Sequence, residues 1–466
     1  MGISPLSQLT RVEGLPAYTT WGYGVGNAAF SFLGLVISVN LQFFYTDVVG
    51  LGALLVAWAL LIARLFDAFT DPLIGWASDQ TDTRIGRRRP WIFGAAIPIA
   101  IAFYFLFSPP ILENPADSQT YLLGYMLSFY ILLYLFWTIG AVPYFSLGAE
   151  LTDDYHERVK LIAVREVCAL TGLLLATAAP AFLIYKFEGG DGYSIMGAVL
   201  GCGAALILTI SGSVVKERPE FRGREKMRPF ESWIKTFDNK HFRRLLLAFF
   251  FNGIGAAVPA VLVIYVSIYI IGTPTWWSQM MPGWWPTWAF YLQLYIFSGI
   301  CSIPFWNYLA KVWGKRNTWG AGIALATAVT IAVWWGQEGD VGYFAILLIL
   351  SGFSFGNTMT LPPSMVADVI DYDESLTGRR REGSYFSIWT FVHKLGGAVC
   401  GFAALQVLGY MGYEPGVPQT EQVKFWLMFL FSWFPALFYM LAAIVLFRYD
   451  FSAADLKDTQ IQLGRA

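Results

Sequence analysis

The stretch "RLFDAFTDPLIGW", residues 64–76, holds three charged side chains within eight positions. Apolar sequence flanks these charges, with "LLVAWALLIA" before them and "PLIGWA" at the other side. A charged side chain at the centre of a membrane helix costs about 2.5–3.5 kcal/mol on insertion scales. If this segment crosses a membrane, Arg64, Asp67 and Asp71 therefore need either partners or a function.

The composition indicates a membrane protein. Of the 466 residues, 56% are hydrophobic and only 14% are charged. Runs without any charged residue recur at 90–112, 118–149, 245–310, 341–367 and 425–447. Each run is long enough for one or more helices of about 20 residues. The runs are apolar throughout, whereas helices of soluble proteins are apolar on one face only. We therefore predict an all-α membrane protein that is surrounded by a lipid bilayer.

Turn signals and clusters of charge divide the chain into twelve predicted transmembrane helices. The predicted spans are 17–47, 52–79, 90–109, 119–150, 157–186, 193–215, 241–271, 286–311, 317–336, 341–371, 381–411 and 421–448. The segment 216–240 is the one long polar break. We predict an N-terminal six-helix bundle (1–215), a cytoplasmic linker (216–240) and a C-terminal six-helix bundle with a short cytoplasmic tail (241–466).

The two halves share motifs in the same order. Span 2 ends in "GWASDQTDTRIGRRRPW" and span 8 in "WNYLAKVWGKRNTW", while span 4 ends in "GAELTDDYHER" and span 10 in "VADVIDYDESL". Such a pattern is typical of a parallel duplication, which places a substrate site near the membrane midplane between two pseudo-symmetric halves.

Arginine and lysine concentrate in alternate loops. Loop 80–89 carries four arginines, the segment 216–240 carries eight lysines or arginines, and loops 312–316 and 372–381 are also basic. Because cytoplasmic loops carry the excess of positive charge, these loops and both termini are predicted to be cytoplasmic. The expected location is the cell membrane, the inner or plasma membrane, which the chain crosses many times.

Few ionisable residues lie deep in the predicted spans, and two of them form a pair. The full set is Arg64, Asp67, Asp71, Arg165, Glu166, His393 and Lys394. Asp67 and Asp71 are four positions apart, so they share one helix face and repel each other unless a positive charge lies close. Arg64 precedes Asp67 by three positions on that face. A static buried ion pair of Arg64 with the aspartates is the structural alternative to an ion pathway.

Oxygen atoms are concentrated around this pair. Pro72 cannot donate to the carbonyl four residues earlier, which leaves that oxygen free, and Thr70 adds a hydroxyl. Pro143 has the same effect in span 4, next to Thr138. Carboxylates, hydroxyls and free carbonyls suit a hard cation such as sodium, or a proton. We therefore predict Asp67, Thr70, Asp71 and Thr138 as a cation site, with Asp67 and Asp71 as the metal ligands.

Five motifs resemble one family of transporters. They are "RLFDAFTDPLIGW", "GRRRPW", "VPYFSL", "ADVIDYDE" and "FVHKLGGA", with "YTDVVGLG" (45–52) in support. Together they resemble the glycoside–pentoside–hexuronide:cation symporters of the major facilitator superfamily, over nearly the whole chain. The resemblance implies the major facilitator fold, cation-coupled symport and alternating access. It also implies cation ligands at Asp67, Asp71, Thr70 and Thr138, and functional basic residues at Arg165 and Lys394.

The sequence departs from the members of the family that carry melibiose. Those members hold sugar hydroxyls with an aspartate in helix 1 and another in helix 4, and they stack a tryptophan on the sugar. The matching positions here are Ser31, Ala141 and Phe145. Melibiose is therefore not the expected substrate. Another sugar, a sugar acid held by Arg165 and Lys394, or an amphiphile such as a lysophospholipid remains open.

The predicted functional residues fall into two further sets. The predicted substrate site comprises Ser31, Arg64, Ala141, Phe145, Arg165, Thr390 and Lys394. The predicted gate pairs arginines of loop 84–89 with acids at a helix end: Arg84, Arg87, Arg88, Glu150 and Asp153. We expect a monomer with no cofactor other than a coupling ion, Na⁺ or H⁺.

Other classes of function are disfavoured. An intramembrane enzyme needs a nucleophile–base pair or a metal set, yet the three histidines, His156, His241 and His393, lack metal-ligand spacing. A channel does not need a carboxylate pair with basic residues in both halves. No G-x-x-x-x-G-K stretch is present to support an ATP-driven pump. The net charge of −1 gives no indication of nucleic-acid binding.

Overall fold

The computed structural model describes residues 15–110, 118–152, 155–187, 189–217, 235–283, 285–378 and 382–463. In these parts of the chain the regular structure is helical, as the composition predicts. The fifteen α-helices are α1 (Ala17–Phe43), α2 (Ala53–Gln80), α3 (Arg89–Leu106), α4 (Gln119–Glu150), α5 (Tyr155–Lys186), α6 (Gly189–Val214), α7 (Lys240–Val266), α8 (Thr275–Met280), α9 (Thr287–Trp313), α10 (Lys315–Val333), α11 (Val341–Thr377), α12 (Glu382–Tyr410), α13 (Glu421–Phe431), α14 (Trp433–Phe447) and α15 (Ala453–Gln462).

Within the described residues, eleven helical segments are long and apolar enough to cross a membrane. They correspond to eleven of the twelve predicted spans. The remaining one, predicted at 317–336, is present as α10. This helix has only 19 residues and begins "KRNTWG". Its polar first turns therefore make up a large part of its length, which lowers its mean hydropathy. At 1.5 Å per residue it still extends about 28 Å, close to the thickness of the hydrocarbon core.

The helices pack into two groups. Helices α1 to α6 contact one another, most closely through α1 with α5 and α3 with α4 and α6. In the second half, α9 packs on α11, and α7 packs on α12 and α14. Three helix pairs join the groups: α2 with α12, α5 with α9, and α1 with α7. The exact division at 1–215, 216–240 and 241–466 stays a prediction, since much of the linker lies outside the described residues.

Two helix ends depart from the predicted spans for clear reasons. The last span is interrupted at Ser432, three residues before Pro435, whose ring nitrogen cannot donate to the carbonyl of Phe431. Helix α11 extends beyond 371, to Thr377, where Gly378 adopts a left-handed conformation with φ +65° and its N–H bonds to the Glu374 carbonyl. A glycine in this conformation is a common end of a helix.

The predicted tail contains a helix that is attached to the second bundle. Ser452 and Asp455 form a reciprocal capping box at the start of α15. Just before it, Asp450 lies 2.6 Å from the Arg244 guanidinium, and this bond lowers the pKa of the Asp450 carboxyl. The segment before α15 is therefore joined to the start of α7.

We call the end of the molecule that carries the loop between α2 and α3 the basic end, and the opposite end the far end. At the basic end, Glu217 caps α3. Its carboxylate accepts bonds from the backbone N–H groups of Arg87, Arg88 and Arg89, at 2.6, 2.8 and 2.8 Å. An anion at the first turn satisfies N–H groups that have no partner inside the helix. The start of the linker is thereby fixed to the first bundle.

Gly86 makes this cap possible. Its φ is +128°, a backbone conformation that residues with a side chain rarely adopt. A Cβ atom at this position would overlap the Glu217 carboxylate. The turn before α3 therefore requires glycine for two separate reasons.

We expect Gly86→Ala to lower the thermal stability of the protein, because the new methyl group strains the backbone and displaces the Glu217 carboxylate. A residue with a side chain in such a sparsely populated backbone region costs about 1–3 kcal/mol. Thermal unfolding of the purified protein in detergent measures the effect. Gly94→Ala in α3 is the matched control, since a Cβ atom added there would meet no other atom within 4 Å. Equal unfolding temperatures for the two variants would contradict the role of Gly86.

Candidate functional site

Four side chains meet between the two bundles, near the middle of α2, α4 and α12. Asp67 and Asp71 lie on one face of α2, as their spacing predicts. The Lys394 Nζ atom of α12 lies 2.9 Å from Asp67 Oδ2 and 2.7 Å from Asp71 Oδ2. Thr138 reaches the same carboxylates from α4. We call Asp67, Asp71, Thr138 and Lys394 the central cluster.

The Thr138 hydroxyl contacts the carboxylate oxygens that do not face the Lys394 ammonium. Its Oγ1 atom is 2.7 Å from Asp67 Oδ1 and 3.0 Å from Asp71 Oδ1. A hydroxyl has one proton, so it can donate to only one of these oxygens at a time. Each carboxylate thus has one oxygen directed to Lys394 and the other directed to Thr138.

Burial makes these contacts strong. Asp67 is fully buried, while the side chains of Asp71 and Lys394 are 26% and 21% exposed. A charge away from water is costly when unpaired, and two like charges four residues apart add to that cost. The ammonium offsets both penalties, and it comes from the other bundle. The central cluster is therefore an electrostatic contact that joins the two halves of the molecule.

Thr70 and Arg64 lie close in sequence but have other partners. Thr70 is buried, and its hydroxyl donates to the Asp67 backbone carbonyl at 3.0 Å. The Arg64 guanidinium carbon lies 4.8 Å from the centre of the Tyr134 ring, a cation–π distance. Among the described residues the ion pair of the aspartates is with Lys394, so the alternative of a static Arg64 pair is not what the structure shows.

A second polar group lies at the wall of the first bundle. Arg165 Nη2 is 2.5 Å from the Glu166 carboxylate, and the guanidinium carbon is 5.4 Å from the centre of the Phe145 ring. Phe145 is 43% exposed, and its ring is 6.2 Å from that of Phe30, the neighbour of Ser31 in sequence. Phe30, Phe145 and Arg165 therefore lie side by side, and Ser31 follows Phe30 on α1.

The remaining predicted substrate residues lie on the same helices. Ala141 is buried on α4, one turn before Phe145 and three residues after Thr138. Thr390 is exposed on α12, one turn before Lys394. The predicted substrate residues thus lie on α1, α2, α4 and α5 of the first bundle and on α12 of the second, and α2 packs against α12.

At the basic end, Glu150 binds two arginines of the loop before α3. It lies 2.5 Å from Arg87 Nη2 and 2.9 Å from Arg88 Nη2. Arg88 also donates to the Ser78 hydroxyl at 2.6 Å. Arg84 is exposed. Asp153, the other predicted acidic partner, lies outside the described residues.

The second bundle has an equivalent ion pair that the sequence motifs had not identified. Lys315 at the start of α10 lies 2.6 Å from Asp368 of α11. Lys315 follows span 8 as Arg87 follows span 2, and Asp368 lies in the "VADVIDYDESL" motif that matches "GAELTDDYHER". The repeat was therefore the signal that could have found it. Both pairs join residues of the same bundle.

A transition-metal site is not supported by the described residues. Within them, no group of three or more His, Cys, Asp or Glu side chains converges. The central cluster instead offers four carboxylate oxygens and a hydroxyl, which suit a hard monovalent cation or a proton.

Sequence comparisons indicate one family. A model of the family described as MFS/sugar transport protein matches residues 22–453. The inner membrane symporter YicJ of Escherichia coli K12 is 28% identical over 95% of this chain and 94% of its own length. The putative glycoside/cation symporter YagG is 28% identical, with the same coverage. The glucuronide carrier protein homolog of E. coli is 27% identical over 96% of this chain and 95% of its own length.

Solved structures agree on the fold. A bacterial homolog of the human lysosomal transporter Spinster, in an inward-facing conformation, superposes with a TM-score of 0.67 and 13% identity. The match covers 94% of this chain and 98% of that one. The xylose transporter XylE of E. coli, in an inward-open conformation, gives a TM-score of 0.64 with 13% identity, over 95% and 98% of the two chains. The predicted all-α major facilitator fold is therefore confirmed.

We expect Lys394→Met to destabilise the protein, because it leaves Asp67 buried without a cation. Breaking a buried ion pair typically costs about 3–5 kcal/mol. The double variant Asp67→Asn/Lys394→Met should unfold at a higher temperature than Lys394→Met alone, since it also removes the uncompensated carboxylate. Lys424→Met is the control, because its partner Glu421 is 90% exposed. A double variant less stable than Lys394→Met would contradict the pairing.

Proposed function

The chain belongs to the MFS/sugar transport protein family, and from this premise we propose that it is a cation-coupled symporter of a sugar, glycoside or sugar acid. Transport would proceed by alternating access of the site between the bundles. The observation that carries the proposal is the position of the Lys394 ammonium between Asp67 and Asp71. It supplies a charge contact across the bundle interface that a coupling cation can alter.

A coupling ion would act by competing with Lys394. Sodium bound to Asp67 and Asp71, or a proton on one of them, neutralises the charge that holds the ammonium. Coulomb attraction across a low-dielectric interface is large, so this change weakens the bond between α2 and α12. Lys394 is then free to bind substrate. We propose that the Thr138 hydroxyl is a further ligand of the coupling cation. The Thr70 hydroxyl would also reach the cation by rotating away from the Asp67 carbonyl.

The charge balance favours an acidic substrate. The deep ionisable residues near the interface comprise three bases, Arg64, Arg165 and Lys394, and three acids, Asp67, Asp71 and Glu166. A bound monovalent cation leaves one net positive charge. An occluded site is least costly when neutral, and one carboxylate or sulfonate on the substrate makes it so. The similarity to a glucuronide carrier homolog is in line with this reasoning.

We propose distinct roles for the remaining predicted residues. Phe145 offers an apolar face to the sugar ring, with Ser31 and Ala141 lining the wall beside it. Arg165 would bind the acidic group once the substrate competes for its bond to Glu166. Thr390 would offer a hydroxyl to the sugar.

The basic end is proposed to face the cytoplasm, according to the positive-inside rule. Both termini would lie on that side. The similarity to an inner membrane symporter supports the cell membrane as the location. Arg87, Arg88 and Glu150 would stabilise the loop between α2 and α3 at the cytoplasmic gate, with Arg84 free to contact the second bundle. A monomer suffices, because both halves of the site belong to one chain.

We expect Asp67→Asn and Asp71→Asn to abolish accumulation of substrate against a gradient, because each removes a charge that the coupling cation binds. Uptake into proteoliposomes, with imposed sodium and proton gradients, measures this effect and identifies the ion. Substrate binding should partly survive. Asp458→Asn, at an exposed position of α15, should accumulate substrate like the unmodified protein. Normal accumulation by both of the first two variants would refute the proposed cation site.

We expect uronates and sulfo-sugars to inhibit uptake at concentrations at least about tenfold lower than neutral galactosides do, a difference of about 1.4 kcal/mol in binding. Competition against any transported substrate in proteoliposomes provides the measurement. A preference for neutral galactosides would contradict the charge argument. Strong inhibition by single-chain lysophospholipids, below their micelle concentration, would favour the alternative of an amphiphile symporter.

A further inference from the structure

Polar side chains of both bundles also meet at the far end, away from the central cluster. The Asp47 Oδ1 atom accepts bonds from the hydroxyls of Tyr269 and Tyr413, the latter at 2.5 Å. Asp47 belongs to the first bundle and the two tyrosines belong to the second. We call Asp47, Tyr269 and Tyr413 the far-end latch. Its carboxylate is the single acceptor that both tyrosines share.

Neighbouring residues hold the latch in position. The Thr46 hydroxyl donates to Asp47 Oδ2 at 2.6 Å and lies 2.8 Å from the Tyr265 hydroxyl. Thr46 and Tyr265 are fully buried. The Tyr269 hydroxyl also accepts a bond from the backbone N–H of Gly416, at 3.0 Å. The contact therefore involves two helix ends and a loop.

The backbone is unusual at this place, and in the same way in both halves. Helix α1 continues as a π-helical turn, Phe44–Val48, and α7 continues as another, Ser267–Ile271. These are the first helices of the two bundles. The latch residues Asp47 and Tyr269 each lie on one of these turns. Single π-helical turns are rare and occur frequently at functional sites, where they alter the direction of side chains.

Other contacts close the far end around the latch. Gln406 of α12 donates to the Leu54 backbone carbonyl of α2 at 3.2 Å. A Cβ atom at Gly409 would lie 2.7 Å from Leu54, so the two helices approach closely here. At the basic end, in contrast, the ion pairs of Glu150 and Asp368 described above join residues within one bundle. The bundles are thus held together at the far end.

We propose that the far-end latch holds this end closed in the conformation seen here, and that its bonds must break before the site opens to the far side. Asp47 is then a positioning residue of the transport cycle rather than a ligand of substrate or cation. The inference rests on the proposed alternating-access transport and specifies which contact determines the relative stability of its two end states. A carboxylate with two phenol donors suits this role, because hydrogen bonds to a charged acceptor are short and roughly twice as strong as neutral ones.

Hydrogen–deuterium exchange of the full-length protein tests the latch without a substrate. In Asp47→Ala, exchange should increase about tenfold at 44–52, 265–272 and 410–417, equivalent to a shift of about 1.4 kcal/mol toward the open far end. Exchange should decrease at 145–152 and 365–378, since the basic end closes when the far end opens. Faster exchange at the far end alone would indicate local fraying and would overturn the proposal, as would no change at all.

Milder variants distinguish loss of the latch from simple misfolding. Tyr413→Phe removes one donor and should give the same reciprocal pattern with a smaller amplitude, whereas Asp47→Asn keeps an acceptor and should restore part of the protection. Tyr410→Phe, at a 75% exposed position of α12, and Asp191→Ala, an exposed acid at the start of α6, are the controls. Because exchange needs no transported substrate, failure of the latch and failure of the proposed sugar transport are distinguished by separate measurements.

Discussion

The buried ion pair between Lys394 and the two aspartates is the contact on which the rest of the molecule depends. The carboxylates belong to one bundle and the ammonium belongs to the other. Neither charge is stable alone in a low-dielectric interface. Helix α2 therefore has to face α12, and Thr138 of α4 completes the surroundings of the carboxylates. The site is a property of the assembled halves, because its two negative charges lie on one side of the interface and its positive charge lies on the other.

Polar contacts along the interface differ in kind from one end to the other. At the basic end the ion pairs of Glu150 and of Asp368 each lie within one bundle, where they connect a loop or a helix start to a neighbouring helix. In the middle, a charge contact joins the bundles and can be altered by a cation. At the far end a carboxylate shared by two tyrosines joins them again. The contacts between the bundles therefore lie in the middle and at the far end, and they involve different chemical groups at the two places.

The deep charges were identifiable from sequence because their cost in a membrane does not depend on the details of packing. Asp67 and Asp71 also had to share a face, since helical periodicity alone determines that. The basic partner of the two aspartates could not be identified in this way. Arg64 and Lys394 both satisfied the sequence argument, and only packing separates them: Arg64 lies over the Tyr134 ring, whereas Lys394 reaches the carboxylates. Their roles in binding cation or substrate remain predictions.

The contacts of two acidic residues could not be predicted from the sequence. Glu217 begins a polar linker, and nothing in its local pattern indicates that it caps a helix more than 120 residues earlier. Asp47 has the local pattern of an ordinary acid at a helix end. Its tyrosine partners lie more than 200 residues away, so only the packing of α1 against α7 and of α2 against α12 brings them together.

The sequence by itself determined that the chain crosses a membrane repeatedly, where most helices begin and end, and which charges lie too deep to be incidental. These features follow from hydropathy, turn chemistry and helical period, all of which act over a few residues. The tertiary structure decided which basic residue neutralises the aspartates, which acid binds the loop arginines, and which polar side chains join the bundles at the far end. Those outcomes depend on contacts between residues distant in the chain, and the free energy of such contacts is set by the geometry of packing rather than by local composition.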